Sequence, residues 1–400
     1  MNKLEKALVT GMAALCITGY TVDTAKAHPN GGTPEPRPSV NSVIQDQVRT
    51  VEEVRLIGSE VVPNELTYKG TTTGGFSGVT YNPKNNKWLL LSDDRSDLNP
   101  ARFYSAKLNY NSNGFQNVQL VDVTYLKQAD GTVYPNREQY LSGAEGMVTD
   151  PEAIRFDPES NHIWYTSEGN RSLGLNPYIH QAALDGSFVS DIPVTDTIKM
   201  DEQAEKGFRN NLALEGATFS ADGETFWTAM EGPLMQDGML PTPYSGSYSR
   251  ITQYDRDGNV LAEYAYPIDA IPEKPGEGKH ADNGVTEILS INEHEFLVLE
   301  RASVQSADGD FSNYVRIYKI DINSATDIKE FDSIKDKNVS PVEKELIVDM
   351  NALDLEKVDN IEGMTWGKKL PNGNDTLVLV SDNNFNDTQI SQFIALEVIR

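Results

Sequence analysis

The sequence predicts an all-β fold, a β-propeller, and three observations support this prediction. One short pattern returns five times along the chain, at intervals of 63 to 79 residues. Each copy contains short segments rich in aromatic and β-branched residues, separated by turns of Gly, Asn, Asp and Pro. A further pair of strand-like segments follows most copies. A repeat of this length, made of short strands, is typical of a propeller with four strands in each blade.

Each copy opens on a polar residue followed by a small one, and it closes on an acid 16 to 20 residues later. The opening residues are Ser77, Glu152, Glu215, Asn283 and Glu362, and the closing acids are Asp93, Glu168, Glu231, Glu300 and Asp382. The first strand of each copy starts just after the opening residue. The second strands are Lys87–Leu91, Ile163–Thr166, Thr225–Ala229, Glu295–Leu299 and Thr376–Val380. Antiparallel pairing through one hairpin then places each opening residue beside its closing acid.

The strands that follow the copies predict five blades, of which the last is one strand short. They are Arg102–Leu108, Val118–Tyr125, Tyr178–Leu184, Phe188–Val194, Ser249–Tyr254, Val260–Tyr266, Tyr314–Ile320, Lys344–Val348 and Ile390–Val398. A spare strand, Val54–Val61, precedes the first copy. We expect it to complete the blade that contains Ile390–Val398, because joining the two termini closes the ring. A sixth, degenerate blade within 126–150 or 195–212 is the alternative.

Several segments rich in Gly, Pro and charged residues interrupt the repeat. They are Ala129–Gly146, Thr197–Asn211, Gly232–Tyr248 and Glu273–Asp282, and each precedes an opening residue or follows a closing acid. We therefore expect these loops to gather over one end of the channel, where loops on a rigid scaffold commonly carry specificity.

The N-terminus predicts export. Lys3 and Lys6 give a basic start, residues 7–22 form an apolar run too short to span a bilayer, and small residues at 25 and 27 predict cleavage after Ala27. Residues 28–40 are rich in Pro and Gly, which indicates a disordered lead-in. A single domain over 41–400 remains, and we expect it to be secreted or periplasmic.

Charge and cysteine content exclude several classes of function. The chain has 60 acidic and 34 basic residues, a net charge of −26, which argues against nucleic acid or an anionic membrane as the partner. Its single cysteine, Cys16, lies in the predicted signal, so the mature domain has neither disulfides nor thiolate metal sites. No membrane span is predicted, and we expect a monomer.

The repeated acids predict a metal site. The innermost strand of each propeller blade lines the central channel, so the opening residues face one another. Converging carboxylates repel each other, and a hard cation with oxygen ligands, calcium above all, relieves this repulsion. The predicted ligands are Glu152, Glu215, Asn283 and Glu362, with the closing acids Asp93, Glu168, Glu231, Glu300 and Asp382. In the alternative, these residues cap strand ends or hydrogen bond to neighbouring blades.

Positive side chains follow the closing acids. Arg95, Arg171 and Arg301 lie within three residues after a closing acid, and Arg102 lies shortly beyond the first. Phosphate ester hydrolysis needs a cation, an activated water and fixed positive donors for the phosphate oxygens. These arginines are therefore the predicted substrate-binding residues. Ion pairs with the adjacent acids are the alternative.

The motifs resemble the phytase-like family of exported proteins, described as having "esterase-like activity of phytase", from about Gly74 to the C-terminus. The motifs are Gly74–Gly78, Ser92–Arg95, Ala101–Tyr104, Pro151–Ile154, Ser167–Gly169, Leu214–Gly216, Asn360–Gly363 and Ser381–Asn384. The resemblance implies a calcium-dependent phosphoesterase acting on a small-molecule phosphate ester. The residues expected to be catalytic are Glu152, Glu215, Glu362, Arg171 and Arg95. A lactonase or carboxylic esterase is one alternative, and a non-catalytic calcium-stabilised propeller that binds a surface partner is another.

Overall fold

The computed structural model describes residues 49–64, 66–201 and 203–400. The predicted signal peptide with its cut after Ala27, and the lead-in at 28–40, lie outside the described residues. Among the described residues, strands make up 49% and helix 3%, which confirms the all-β prediction. Among the described residues, no helix is long and apolar enough to cross a membrane.

Twenty-two strands, one short helix and two 3-10 turns make up the described chain. The strands are β1 (Glu53–Val62), β2 (Thr67–Tyr68), β3 (Thr71–Thr72), β4 (Phe76–Asn82), β5 (Lys87–Ser92), β6 (Arg102–Asn111), β7 (Gly114–Tyr125), β8 (Pro151–Asp157), β9 (His162–Ser167), β10 (Tyr178–Ala182), β11 (Phe188–Ile192), β12 (Leu214–Phe219), β13 (Phe226–Met230), β14 (Ser247–Tyr254), β15 (Val260–Ile268), β16 (Ala281–Ser290), β17 (Glu295–Gln305), β18 (Phe311–Asp321), β19 (Glu343–Asp349), β20 (Ile361–Trp366), β21 (Thr376–Ser381) and β22 (Ser391–Ile399). The helix α1 is Arg137–Leu141, and the 3-10 turns are Arg171–Leu173 and Met350–Ala352.

Five antiparallel four-stranded sheets form the blades. Blades 1 to 4 are β4–β7, β8–β11, β12–β15 and β16–β19, and blade 5 combines β20, β21 and β22 with β1. The first strands β4, β8, β12, β16 and β20 each contact the first strands of both neighbouring blades, and the contact between β20 and β4 closes the ring. Five blades are confirmed.

The predicted closure by the N-terminal strand is confirmed. Strand β1 pairs antiparallel with β22, with Val54 opposite Val398, and its bounds differ by one residue at each end from the predicted ones. The segments where a sixth blade was considered contain α1 and isolated bridges, and the structure forms no further four-stranded sheet within its described ranges.

Apolar side chains fill the spaces between blades. Three tryptophans from the second strands of blades 1 to 3 are almost completely buried, namely Trp88, Trp164 and Trp227. Trp227 packs on Phe296 of the next blade, with ring centroids 4.6 Å apart. Large aromatic side chains bury much apolar surface, so these contacts hold neighbouring blades together.

An ion pair spans the central channel. Arg155 of β8 pairs with Glu287 of β16 at 2.6 Å, and both side chains are buried. The Arg155 guanidinium donates to carbonyls of four first strands, those of Val79, Ile154, Ile288 and Met364. Glu287 accepts from Ala217 N of β12 at 3.0 Å, so the pair touches all five innermost strands. The channel is therefore closed between its two ends.

Candidate functional site

In four blades a β-bulge carries the opening residue. The register shifts at Ser77 in blade 1, at Glu152 in blade 2, at Glu215 in blade 3 and at Glu362 in blade 5. A bulge re-aims a side chain that regular strand alternation would direct elsewhere. Each closing acid in these blades donates its backbone N–H to the carbonyl two residues before the opening residue, at 2.7–3.0 Å. Opening residues and closing acids therefore lie side by side at one end of the ring, as the sequence predicted.

Blade 4 has a different register from the predicted one. The shift in β16 lies between Val285 and Glu287, so Thr286 stands at the bulge position. Its hydroxyl lies 3.4 Å from the carbonyl of Ile361 in the next blade, as the Ser77 hydroxyl lies 3.1 Å from the carbonyl of Pro151. The closing position of this blade is consequently Arg301 rather than an acid. The repeat alignment of Asn283 and Glu300 was wrong, because β16 and β17 extend several residues past the bulge.

Asn283 and Glu300 bond to each other on the face of blade 4 that packs on blade 3. The Asn283 amide donates to Glu300 Oε2 at 3.1 Å and to the carbonyl of Asp269 at 3.0 Å. Glu300 also accepts from the Tyr266 hydroxyl at 2.6 Å and pairs with Lys344. Its carboxylate thus already has neighbouring donors from protein side chains.

Nine acids and two arginines gather at the end of the channel that carries the bulges. This acid cluster consists of Asp93, Asp150, Glu152, Glu168, Glu215, Glu231, Asp282, Glu362 and Asp382, with Arg95 and Arg301. If every group were ionised, the acids would exceed the arginines by seven charges. Such an excess, held mostly out of water, requires either bound protons or bound cations.

Two carboxylate triads within the cluster share one residue. Oxygens of Asp150, Glu152 and Glu168 all lie within 4.8 Å of one another, and so do oxygens of Glu168, Glu215 and Glu231. All five residues are buried. Glu168 therefore belongs to both triads and accepts a hydrogen bond from Ala213 N, which fixes its orientation.

Burial and mutual repulsion raise the pKa values of these carboxyls. Burial is the largest cause for Glu152 and Glu215, followed by repulsion from Glu215 at Glu152 and from Glu168 at Glu215, so both pKa values lie well above the usual range. Burial and the neighbouring Asp150 raise the pKa of Glu168 to about 8. Burial raises the pKa of Asp150 to about 6, although Arg95 opposes the shift. These shifts favour the protonated form of each carboxyl wherever no cation is bound.

Arg301 occupies the interior of the cluster. Its Nη2 lies 3.4 Å from Glu231 Oε1 and 3.4 Å from Glu362 Oε1, and its Nη1 lies 3.3 Å from Asp282 Oδ1. Three long contacts from one guanidinium connect blades 3, 4 and 5. Blades 1, 2, 3 and 5 each supply an acid at the closing position. At the same position, blade 4 supplies the fixed positive charge of Arg301.

The carboxylates of blades 5 and 1 complete the cluster. Asn360 donates to Glu362 Oε1 at 2.8 Å and lies 3.4 Å from Asp382 Oδ2. Asp93 Oδ1 is a buried oxygen with no hydrogen-bond partner among the described residues. Burial, followed by repulsion from Asp382 and Glu362, raises the pKa of Asp93 well above its usual range. A buried acceptor left without a donor is a position that a bound cation can satisfy.

Of the other predicted arginines, Arg95 lies at the cluster and Arg102 does not. Arg95 Nε donates to Asp150 Oδ1 at 2.6 Å, and over a third of the side chain is exposed. Arg102 is fully buried and pairs with Asp94 at 2.6 Å, while its other donors bond to Tyr104 and to backbone carbonyls. These contacts favour a structural role for Arg102.

Arg171 is held by the loop before blade 3. Its Nη1 donates to the carbonyls of Lys206 and Phe208 at 2.9 and 3.0 Å, and its backbone N–H donates to the side chain of Asn210. Its guanidinium is therefore held by loop carbonyls, and among the described residues no ion pair joins it to the acid cluster.

Sequence reasoning missed Asp150 and Asp282 as members of the cluster. Asp150 precedes the opening Glu152 by two residues, in Asp-Pro-Glu, and a second acid so close was an available signal. Asp282 lies on the extension of β16 beyond the bulge, and it accepts from Ser303 N at 3.0 Å. Its place follows from the register of blade 4 and could not be found from repeat spacing.

The metal-free protein is expected to lose stability as pH rises from about 4.5 to about 8. The Glu168 pKa moves from 4.5 to about 8 on folding, so between these values the folded state holds a proton that the unfolded state has released. Thermal denaturation in the presence of a chelator between pH 5 and 8 measures the effect. Glu215→Gln removes one titrating group and should flatten the decline. A melting temperature that rises between pH 5 and pH 8 contradicts the raised pKa of Glu168.

Comparisons with known proteins place the chain in a family. A tail fiber of Staphylococcus aureus phage P68 is 10% identical with a TM-score of 0.28, over 82% of this chain and 71% of that one. An ancestral GH74 enzyme is 11% identical with a TM-score of 0.33, over 86% of this chain and 41% of that one. Likeness this low has no bearing on function, and curated proteins give no match. Residues 71–385 match the family described as "Phytase-like: Esterase-like activity of phytase". The chain, with its five-bladed propeller, therefore belongs to the phytase-like family.

Proposed function

We propose that the protein is an exported, calcium-dependent phosphoesterase that hydrolyses a small-molecule phosphate mono- or diester at the acid cluster. The observation that supports this most strongly is the pair of buried carboxylate triads sharing Glu168, with Arg95 beside them. Family membership suggests an esterase-like hydrolase. The proposed action on a phosphoric ester is supported by the combination of clustered carboxylates and Arg95. We also propose that the protein is monomeric.

The donor set of the cluster fits calcium. All the candidate ligands are carboxylate oxygens, which hard cations prefer, and neither triad contains histidine. Asp150, Glu152 and Glu168 are the proposed ligands of one ion, and Glu168, Glu215 and Glu231 those of a second. The unbonded Asp93 Oδ1 and the seven excess carboxylates also favour cation binding. Bound calcium supplies positive charge that offsets the charge of a phosphate group and activates water.

The chain's own residues carry out the remaining tasks. Arg95 reaches the mouth with a partly exposed guanidinium and can donate to a phosphate oxygen. Glu362 lies outside both proposed calcium triads, and burial raises its pKa, so this carboxyl can hold a proton to higher pH than an exposed glutamate. Such a group can give that proton to a leaving alkoxide, or accept one from attacking water once ionised.

The shape of the site restricts access. Because Arg155 and Glu287 close the channel below the cluster, we infer that substrate and cations enter through the same mouth. The loop at 197–211 borders this mouth through Asn211, which contacts Arg95. An enclosed, one-ended site reduces competition from bulk water and strengthens the electrostatic interactions within it.

We expect the purified protein to hydrolyse p-nitrophenyl phosphate or bis-p-nitrophenyl phosphate, to lose this activity with a chelator, and to regain it with calcium. The assay includes p-nitrophenyl acetate as a neutral carboxylic ester. Hydrolysis of the acetate alone would favour a lactonase-type or carboxylic esterase. No hydrolysis of any ester with calcium present would favour a propeller that binds a surface partner.

A further inference from the structure

We propose that Asn211, in the loop before blade 3, is a positioning residue that aims the Arg95 guanidinium at the anionic group of the substrate. This inference rests on the proposed function and adds a residue to it. Arg95 Nη2 donates to Asn211 Oδ1 at 2.9 Å, while Nε donates to Asp150 Oδ1 at 2.6 Å. Two bonds on different nitrogens fix the plane of a guanidinium. Within the described part of the chain, Nη1 has no hydrogen-bond acceptor, so this nitrogen remains for a ligand.

The chemistry of Asn211 suits this task. Near Arg95 lie several carboxylates, those of Asp150, Glu152, Asp93 and Glu168. A guanidinium held at Nε alone can turn about that bond and pair with one more of these acids. The amide oxygen of Asn211 accepts from Nη2 without adding negative charge, so it keeps this nitrogen from pairing with a second acid of the cluster. The positive charge of Arg95 then remains directed at the mouth.

The backbone conformation of Asn211 is consistent with its proposed role. Its φ is +58°, in the left-handed region that glycine adopts without strain. Asparagine tolerates this conformation better than most residues, and left-handed non-glycine residues concentrate at functional sites. The amide, which glycine lacks, is the part that contacts Arg95.

The loop around Asn211 is rigidly held. Arg209 donates from Nε to the carbonyl of Pro233 at 3.0 Å and from Nη2 to that of Gly238 at 2.7 Å. Asn210 accepts from the backbone N–H of Arg171 at 3.0 Å, and Phe208 is completely buried. A positioning residue needs such support, because its own placement sets that of the group it orients.

The test combines three variants with two readouts on the calcium-loaded protein. Asn211→Gly keeps the backbone conformation and removes the acceptor, whereas Asn211→Asp keeps an acceptor. Asn161→Gly is a matched control, since Asn161 has φ +60° in the hairpin turn of blade 2, at the far end from the cluster. The readouts are KM and kcat on p-nitrophenyl phosphate and the affinity for inorganic phosphate by calorimetry.

We expect Asn211→Gly to raise KM and to weaken phosphate binding roughly tenfold, the scale of one charge-assisted hydrogen bond, with a smaller change in kcat. Asn161→Gly should stay near wild type, whereas Asn211→Asp should also weaken phosphate binding, because it keeps an acceptor but adds the negative charge that Asn211 avoids. In an Arg95→Ala background, Asn211→Gly should add nothing further, because the two residues act as one unit. If the wild-type protein is active and Asn211→Gly has the same effect with Arg95 present as in the Arg95→Ala background, the positioning role is overturned while the proposed function stands. A wild-type protein that neither binds phosphate nor hydrolyses phosphate esters overturns the proposed function and this inference together.

Discussion

Replacing Glu215 by Gln is expected to abolish calcium-dependent phosphoesterase activity while the propeller stays folded. Glu215 belongs to the triad with Glu168 and Glu231, and their carboxylate oxygens lie within 4.8 Å of one another. Burial, followed by repulsion from Glu168 and Glu231, raises its pKa well above the usual range. Gln has the shape and hydrogen-bonding capacity of the protonated acid, but it cannot supply the negative charge that a cation requires. We expect activity to fall by about 10²–10³-fold, the range seen when one charge-stabilising group is removed.

The control for this variant is Glu293→Gln. Glu293 is exposed in the turn between β16 and β17, at the end of blade 4 away from the cluster. Steady-state kinetics on p-nitrophenyl phosphate, with thermal denaturation of each variant, separates loss of activity from loss of structure. A Glu215→Gln variant that melts near the wild-type temperature and keeps full calcium-dependent activity would contradict the proposed role of the triad of Glu168, Glu215 and Glu231.

Replacing Arg155 by Met is expected to cause the largest loss of stability, about 3–5 kcal/mol, the cost of breaking a buried ion pair on one side. Glu287 is then left as a buried carboxylate whose partner is gone, and four backbone carbonyls lose their donor. Burial already raises the pKa of Glu287 to about 7, against the influence of Arg155. Without Arg155 the carboxyl should keep its proton to still higher pH. The destabilisation should therefore be smaller at pH 5 than at pH 8, because protonation removes the unpaired charge.

Denaturant unfolding of the single and double variants tests this role. Adding Glu287→Gln to Arg155→Met should recover part of the lost stability, since the amide avoids the buried charge and can still accept from Ala217 N. Lys369→Met serves as the control, because Lys369 is a partly exposed cation beside Asp375. An Arg155→Met variant as stable as the wild type at pH 8 would show that the pair does not hold the ring together.

The fold could be predicted because a propeller repeats its local signals. Short strands rich in aromatic and β-branched residues recur along the chain, and three of their tryptophans, Trp88, Trp164 and Trp227, are buried between blades. The unpaired strand at Val54–Val61 had one compatible partner, since the last blade was one strand short. Both signals are local in sequence and are repeated, so a single chain was enough to recognise them.

The site was only partly predictable, because its remaining features depend on contacts between blades. In blade 4, Asp-Asn-Gly at 282–284 imitates an opening motif, while the actual bulge lies at Thr286. Arg155 and Glu287 are 132 residues apart and meet only because the ring places β8 and β16 across one channel. Asn211 lies in an inserted loop that has no counterpart in the other copies. No repeat position marks these residues, so spacing alone could not find them.

Calcium titration of the chelator-treated protein by isothermal calorimetry tests the central claim most directly. The two triads that share Glu168 predict saturable binding of two calcium ions per chain at pH 8, with protons released as the raised-pKa carboxyls bind metal. Glu168→Gln should weaken both events, whereas Glu293→Gln should weaken neither. Absence of saturable binding by the folded wild-type protein, or unchanged binding by Glu168→Gln, would contradict a calcium centre in the acid cluster.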